Sequence, residues 1–218
     1  MKEKKEDTTP PYVRYFAPVT RPFPDFDFFF IKPLRQKAVK LLNLQQGSRV
    51  LDVGCGSGAS FPYLVSAVGS SGEVIGVEIS PEFSINARRR VEKNGWKNVQ
   101  VIESAAQRVK LTGTFDALLM MAAPDVYASQ EALDNIFPHL RGNAKVVIFG
   151  AKTSSNSFGR ILNPVFQMVV SKFSFPTTPS LDHQPWQILA KRLETFDVEE
   201  YFFGCMFLAS GSVLTRNG

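Results

Sequence analysis

Residues 51–58 read LDVGCGSG, the end of the apolar run Arg49-Val50-Leu51-Asp52-Val53 passing without a break into Gly54, Cys55, Gly56, Ser57 and Gly58. An apolar run rich in Val and Leu that stops at glycine reads as a buried strand. The glycines that follow offer a backbone without Cβ atoms, which a ligand can approach closely. Ala59 to Val68, ASFPYLVSAV, then has helical spacing and is stopped by Gly69. A strand, a bare loop and a helix start meeting at one point form a generic nucleotide-binding signal.

Outward from this point, from residue 49 on, short apolar runs alternate with amphipathic stretches, the rhythm of a parallel sheet covered on both faces. GEVIGVEI (72–79) supplies a second strand. SPEFSINARRRVEKNG (80–95) predicts a helix with Ser80 as cap, Pro81 in its first position, Glu82 at the positive dipole end and Asn94-Gly95 as its stop. NVQVIES and FDALLMM give a third and a fourth strand, SQEALDNIFPHL a helix capped by Ser129, and KVVIFG a fifth strand. Residues 151–184 break the rhythm with SSNS, a Pro-interrupted apolar stretch and TTPS, and read as an inserted lid. A helix is expected from Pro185 to Thr195. VEEYFFG and CMFLASGS follow with no room for a crossover helix, so an antiparallel hairpin is expected. The expected fold is α/β, a doubly wound, mostly parallel sheet of seven strands closed by that hairpin. Its parts are a disordered tail over 1–11, a cap segment over 12–48 and a domain over 49–218 that carries the lid.

The 218 residues are 44% hydrophobic and 21% charged, the balance of a soluble globular chain long enough for one domain with elaborations. A net charge of +5 is too modest to demand a nucleic-acid partner. Arg88, Arg89 and Arg90 point in three directions from a helix and make no patch. DFDFFFI and ILNPVFQMVV fall short of the roughly 20 apolar residues that span a bilayer, and MKEKKEDTTPP lacks the apolar core of a signal peptide, so a cytoplasmic location is expected. Cys55 and Cys205 stand without a CxxC or a neighbouring His, which points to free thiols and to no metal site.

Gly54, Gly56 and Ala59 also satisfy the GxGxxA fingerprint of dinucleotide domains, so the ligand must be read from context. Glu78, at the end of the second strand, is placed to accept hydrogen bonds from both hydroxyls of an adenosine ribose, which NAD and S-adenosylmethionine share. Three features separate them. Asp52, two residues before the first glycine, would face a pyrophosphate at a cost but favours a ligand carrying ammonium and sulfonium charge. The first strand begins only after some 48 residues, and the chain closes on a hairpin.

With VLDVGCGSG, VIGVEIS, NGWKNVQVIE, FDALLMM and the terminal hairpin, residues 35 to 211 resemble the class I S-adenosylmethionine-dependent methyltransferases. The similarity is to the group that includes ubiquinone/menaquinone C-methyltransferases and phospholipid N-methyltransferases. That resemblance implies S-adenosylmethionine as cofactor, with Asp52, Gly54, Cys55, Gly56 and Gly58 around its methionine part. Glu78 and Ile79 would hold the ribose and adenine, and Met121 would form the wall behind the sulfonium. One departure stands out: where these enzymes carry Asp-Ala after the third strand, this chain reads Glu103-Ser104-Ala105-Ala106. The adenine amine would then meet backbone, Glu103 or Gln107, with Ser104 and Ala105 beside it.

On the acceptor side, AAPDVY follows the fourth strand, where Asp125 and Tyr127 are candidates to orient or deprotonate a substrate, as is His183 in LDHQPW. His139, at a helix end, reads as a dipole partner. Residues 12–30 hold eight aromatics and the lid adds Phe158, Phe166, Phe173 and Phe175. Together they predict an apolar cap over a small, lipophilic or aromatic, lipid-like acceptor, with contact to a membrane surface as a further expectation. Three other readings stay open: an NAD-type oxidoreductase, a non-catalytic S-adenosylmethionine-binding protein, and an RNA methyltransferase.

Overall fold

The computed structural model describes residues 31–155, 159–161, 163–164 and 182–215. The expected tail, the aromatic segment 12–30 and most of the lid fall outside them. The described chain opens with α1, Ile31–Leu41, whose buried residues Ile31, Leu34, Arg35, Ala38 and Val39 follow helical spacing and lay one stripe on the sheet. Then come β1 (Arg49–Val53), α2 (Phe61–Val68), β2 (Glu73–Glu78), α3 (Pro81–Asn94), β3 (Val99–Glu103) and β4 (Phe115–Met121). The short α4 (Pro124–Tyr127) and α5 (Gln130–Ile136) lead through a 3-10 turn to β5 (Leu140–Ala151), followed by α6 (Gln187–Ala190), β6 (Leu193–Tyr201) and β7 (Met206–Val213). Among the described residues, no helix is long and apolar enough to cross a membrane.

The seven strands lie in the order β3-β2-β1-β4-β5-β7-β6. Pairings from β3 across to β5 are parallel, and those of β7 with β5 and with β6 are antiparallel. Strand order reverses between β1 and β4, so a crevice opens beyond the carboxyl ends of those two strands, where open α/β sheets bind ligands. Alternation along each strand feeds two cores. Val50, Ala117, Leu119, Val147 and Phe149 pack under α1 and α2 with Phe61 and Leu64. Leu51, Leu118, Met120, Val146 and Ile148 pack on the other face with Leu133, Ile136, Leu189 and Phe207. A doubly wound sheet is the geometry that buries both faces of such strands.

Local signals settle most helix ends. Ser129 caps α5 by accepting from the Ala132 N–H at 3.2 Å, and Gly95 ends α3 in the left-handed region at φ 66°. Ser80 occupies the cap position of α3 but makes no cap bond; its hydroxyl is buried without a hydrogen-bond partner among the described residues. The helix expected over 185–195 is corrected: helix persists only over Gln187–Ala190, and β6 begins at Leu193. From Leu193 on the period is two, with Phe196 and Val198 turned to the core, and pairing with β7 outweighs helical propensity. As an edge strand β6 carries Glu194, Asp197, Glu199 and Glu200, charges that discourage pairing with another chain.

Candidate active site

The loop after β1 sits in the crevice. Gly54, Gly56 and Gly58 all have positive φ, at 73°, 56° and 76°, and the Gly54 and Cys55 N–H groups donate to Val77 O at the end of β2. A Cβ on Gly54 would lie 2.7 Å from that of Ala123, and one on Gly58 would strike the Phe61 ring, so neither position admits a side chain. A Cβ on Gly56 would meet nothing within 4 Å, so that peptide borders open space. Packing therefore accounts for two of the glycines. Gly56 needs its left-handed backbone and leaves its face bare.

Asp52, at the end of β1, is 0% exposed, and neither carboxylate oxygen has a hydrogen-bond partner among the described residues. Burial pushes its carboxyl up to about 7, opposed by Arg35 and reinforced by Glu78. A buried polar group left unmatched costs on the order of 1–3 kcal/mol, so such a group marks a site completed by something the chain does not supply. Glu78 is 6% exposed; its Oε2 accepts from the Gly56 N–H at 2.9 Å and its Oε1 from the Ser80 N–H at 2.8 Å. Burial likewise raises it to about 7, while those two amides pull it down. A carboxylate can accept about four hydrogen bonds, so Glu78 retains capacity for a ligand hydroxyl.

Among the other expected cofactor residues, Ile79 is half-buried at the crevice edge and Met121 ends β4 buried. Cys55 is buried, which pushes its thiol well up and leaves its backbone as the useful part. Glu103 is exposed and already engaged by the Ser84 hydroxyl at 2.7 Å and by Arg88 at 3.3 Å. Ser104 and Ala105 are half-buried, and Ser104 N–H donates to Glu78 O at 2.9 Å, which holds this segment against the end of β2. Gln107 reaches Ser129 Oγ at 3.4 Å.

The three acceptor-side candidates are not brought together. Asp125 is half-buried in the first turn of α4; burial raises its carboxyl, and its charge acts on Glu78. Tyr127 lies in the core: it is 0% exposed, meets Phe207 edge-on at 6.0 Å, and sets its hydroxyl against Gly150. His183 is exposed, with Nδ1 3.1 Å from the Thr153 hydroxyl and 3.3 Å from Thr153 O, which fastens it to the extension of β5. His139 bonds Gly113 O at the opposite end of the sheet.

Arg35 was not singled out from the sequence. It is 6% exposed, donates to Ser60 Oγ at 2.9 Å at the start of α2, and lends positive charge to Asp52. One signal was available, since Arg35 interrupts the apolar stripe of Ile31, Leu34, Ala38 and Val39, where a charge is placed only with a task. Ala122 was missed as well. It is exposed beyond β4 with φ 56°, a conformation that composition does not announce.

This strand order, with a glycine loop at its switch point and buried carboxylates at the ends of β1 and β2, is the fold of the class I S-adenosylmethionine-dependent methyltransferases. Comparison with known proteins agrees. The family model of protein-L-isoaspartate(D-aspartate) O-methyltransferases matches residues 32–132. Demethylmenaquinone methyltransferase of Bacillus pumilus is 33% identical over 86 residues, 39% of this chain and 37% of that protein. Protein-L-isoaspartate O-methyltransferase 2 of Archaeoglobus fulgidus is 35% identical over 89 residues, 40% of this chain and 41% of that protein. These matches thus span about two fifths of the length of the curated relatives. The whole fold matches the crystal structure of an S-adenosylmethionine-dependent methyltransferase from Aquifex aeolicus, with a TM-score of 0.61 and 21% identity over 93% of this chain and 97% of that one.

Proposed function

We propose that the protein binds S-adenosylmethionine in this crevice and transfers its methyl group to a small, lipophilic or aromatic acceptor. The observation that carries the reading is Asp52, wholly buried beneath the glycine loop with both oxygens unmatched. A cationic ligand end relieves it, whereas a pyrophosphate would not. The residues present fit the cofactor: Gly54 to Gly58 would hold its amino-acid end, Glu78 its ribose hydroxyls, and Ile79 and Ser104 its adenine.

When bound, the cofactor supplies a methyl group already activated by the positive charge on sulfur. What is left to the chain is alignment and exclusion of water. Met121 and Ala123 wall the crevice at the end of β4, and Gly54 packs on Ala123 so tightly that the loop holds its distance from that wall. Asp125 would accept the proton of an acceptor, a role that its raised affinity for protons supports. An apolar acceptor is supported by Phe202, Phe203 and Ile161, exposed at the same end of the sheet. The relatives' acceptors, a quinone precursor and a modified aspartate in protein, differ too much to choose between by similarity.

The test is calorimetric titration with S-adenosylhomocysteine and, separately, with NAD, on wild type and Glu78→Ala. The expected result is binding of the homocysteine compound at micromolar Kd or better, weakened at least tenfold by Glu78→Ala, and no binding of NAD. Binding of NAD alone, or of neither ligand, would overturn the reading.

A further inference from the structure

The turn that joins β6 to β7 turns apolar surface outward. Phe202 and Phe203 are 43% and 61% exposed, and Ile161, two residues from Gly159, which packs against Phe203 O, is 74% exposed. Both aromatics stand in the left-handed region, at φ 49° and 58°, where a residue with a Cβ is held only by its surroundings. Strain and apolar exposure at the same two residues both disfavour the folded chain, so the pair marks a functional surface. The carbonyls of the turn indicate what that surface meets. Tyr201 O accepts from the Gly204 N–H at 3.0 Å, Phe202 O from the Cys205 N–H at 3.1 Å, and Cys205 O from the Lys152 N–H at 2.9 Å. Phe203 O accepts from the Ser154 hydroxyl at 2.7 Å, and Gly204 O from Lys152 Nζ at 3.2 Å. Five consecutive carbonyls are thus matched from within the chain, and they keep those bonds when the turn leaves water. A turn that faced only water would have no need of a lysine 2% exposed to serve one carbonyl. The two acids of β6 that precede the turn are matched as well, Glu199 by Lys37 and Glu200 by Lys152, and the exposed cation Arg160 adjoins Ile161.

We propose that Phe202, Phe203 and Ile161 form an anchor that enters the interfacial layer of a lipid bilayer. A hairpin turn projects, whereas a small ligand needs walls around it. Two rings and a branched aliphatic chain settle at the boundary of headgroups and acyl chains, and a neighbouring guanidinium meets lipid phosphates. Because β5 runs parallel to β4 and its Ala151 pairs with Met206, the turn lies beyond the carboxyl ends of the parallel strands, where the crevice also opens. Anchoring therefore turns that end of the sheet toward the bilayer, and an apolar acceptor would be reached from the lipid. The anchor does not rest on the cofactor reading, and its test needs no cofactor.

The experiment sediments the full chain with vesicles of phosphatidylcholine alone and of phosphatidylcholine mixed with phosphatidylglycerol, at low and at high salt. The wild type is compared with the double variant Phe202→Asn, Phe203→Asn and with Ile161→Asn. Asparagine accepts the left-handed region more readily than phenylalanine, so the double variant keeps the turn. The wild type should sediment with both kinds of vesicle and keep most of its binding at high salt, because apolar burial is not screened. Binding by the double variant should be weaker by at least about tenfold, with a melting midpoint equal to or above that of the wild type. Ile161→Asn should weaken binding by less. A wild type that sediments with neither vesicle would overturn the anchor, and so would binding that the double variant retains or that high salt abolishes. A double variant that melts well below the wild type passes the test to Ile161→Asn, whose undiminished binding would overturn the anchor. A wild type that ignores vesicles but forms a dimer lost in the double variant would overturn it too, and assign the turn to a second copy of the chain.

Discussion

Ala122 shows how much of this site is written in single backbone angles. It lies at φ 56°, exposed just past β4, with its N–H on Phe149 O at 2.8 Å. A residue with a Cβ pays about 1 kcal/mol or more for that conformation, and such strain persists where surrounding structure imposes it. Here the turn brings Ala123 against Gly54. Ala122→Gly should therefore raise stability by up to about 1 kcal/mol, and Ala122→Val should lower it by more, both readable as shifts in thermal midpoint. Gly54→Ala meets a left-handed φ and a 2.7 Å collision together. It should cost about 2 kcal/mol or more and abolish cofactor binding, read by melting and by titration.

Two buried acids of the crevice make the protein's stability sensitive to pH. Asp52 and Glu78 rise from 3.8 and 4.5 to about 7 on folding, so between those values the folded chain binds more protons than the unfolded one. Stability must then fall as pH rises from about 4 towards 7. Asp52→Asn should remove part of that fall and raise the melting temperature more at pH 8 than at pH 5. A midpoint difference independent of pH would count against the burial of this carboxylate.

At the scale of elements, the turn between β6 and β7 stands out. Phe202, Phe203 and Gly204 follow one another at φ 49°, 58° and 80°, three left-handed residues in a row of which two are aromatic. Side chains from the extension of β5 hold the turn. Ser154 Oγ donates to Phe203 O at 2.7 Å, and Lys152, 2% exposed, donates from Nζ to Glu200 at 2.8 Å and to Gly204 O at 3.2 Å. Lys152→Ala leaves a cavity and an unmatched carbonyl and should cost about 2–4 kcal/mol. Lys152→Met keeps the stem and should cost less, since Glu200 is part-exposed and can turn to water. Chemical denaturation of the two variants checks the order. None of this was legible beforehand: the sequence showed two β-like runs and a Gly, but not the aromatic turn or its buried lysine.

At the scale of the whole molecule, the order of strands, the parallel core and the closing hairpin could be read because each has a local mark. Val- and Leu-rich runs announce buried strands, glycines announce the loop, and a gap too short for a crossover announces an antiparallel pair. What could not be read depends on distant partners. The start of β6 depends on its pairing with β7, the burial of Arg35 on α1 lying against β5 and α2, and the burial of Tyr127 on Phe207, 80 positions away in sequence. The proposed cofactor residues could be brought together from sequence for the same local reason, since they lie in one loop and at two strand ends. The acceptor candidates were not, because α4 leaves Asp125 half-buried but turns Tyr127 into the core, and His183 lies against Thr153 on a separate segment.

The placing of β7 between β5 and β6 has a consequence for how the protein is made. On the ribosome β6 is synthesised before β7, yet its described sheet partner is β7 alone. While β7 is still in the exit tunnel, the free side of β5 is open and β6 is a strand without a neighbour. Sheet closure must therefore wait for the late emergence of residues 206–213, and a chain stalled or cut before them would present the exposed strand edge that cellular quality control removes.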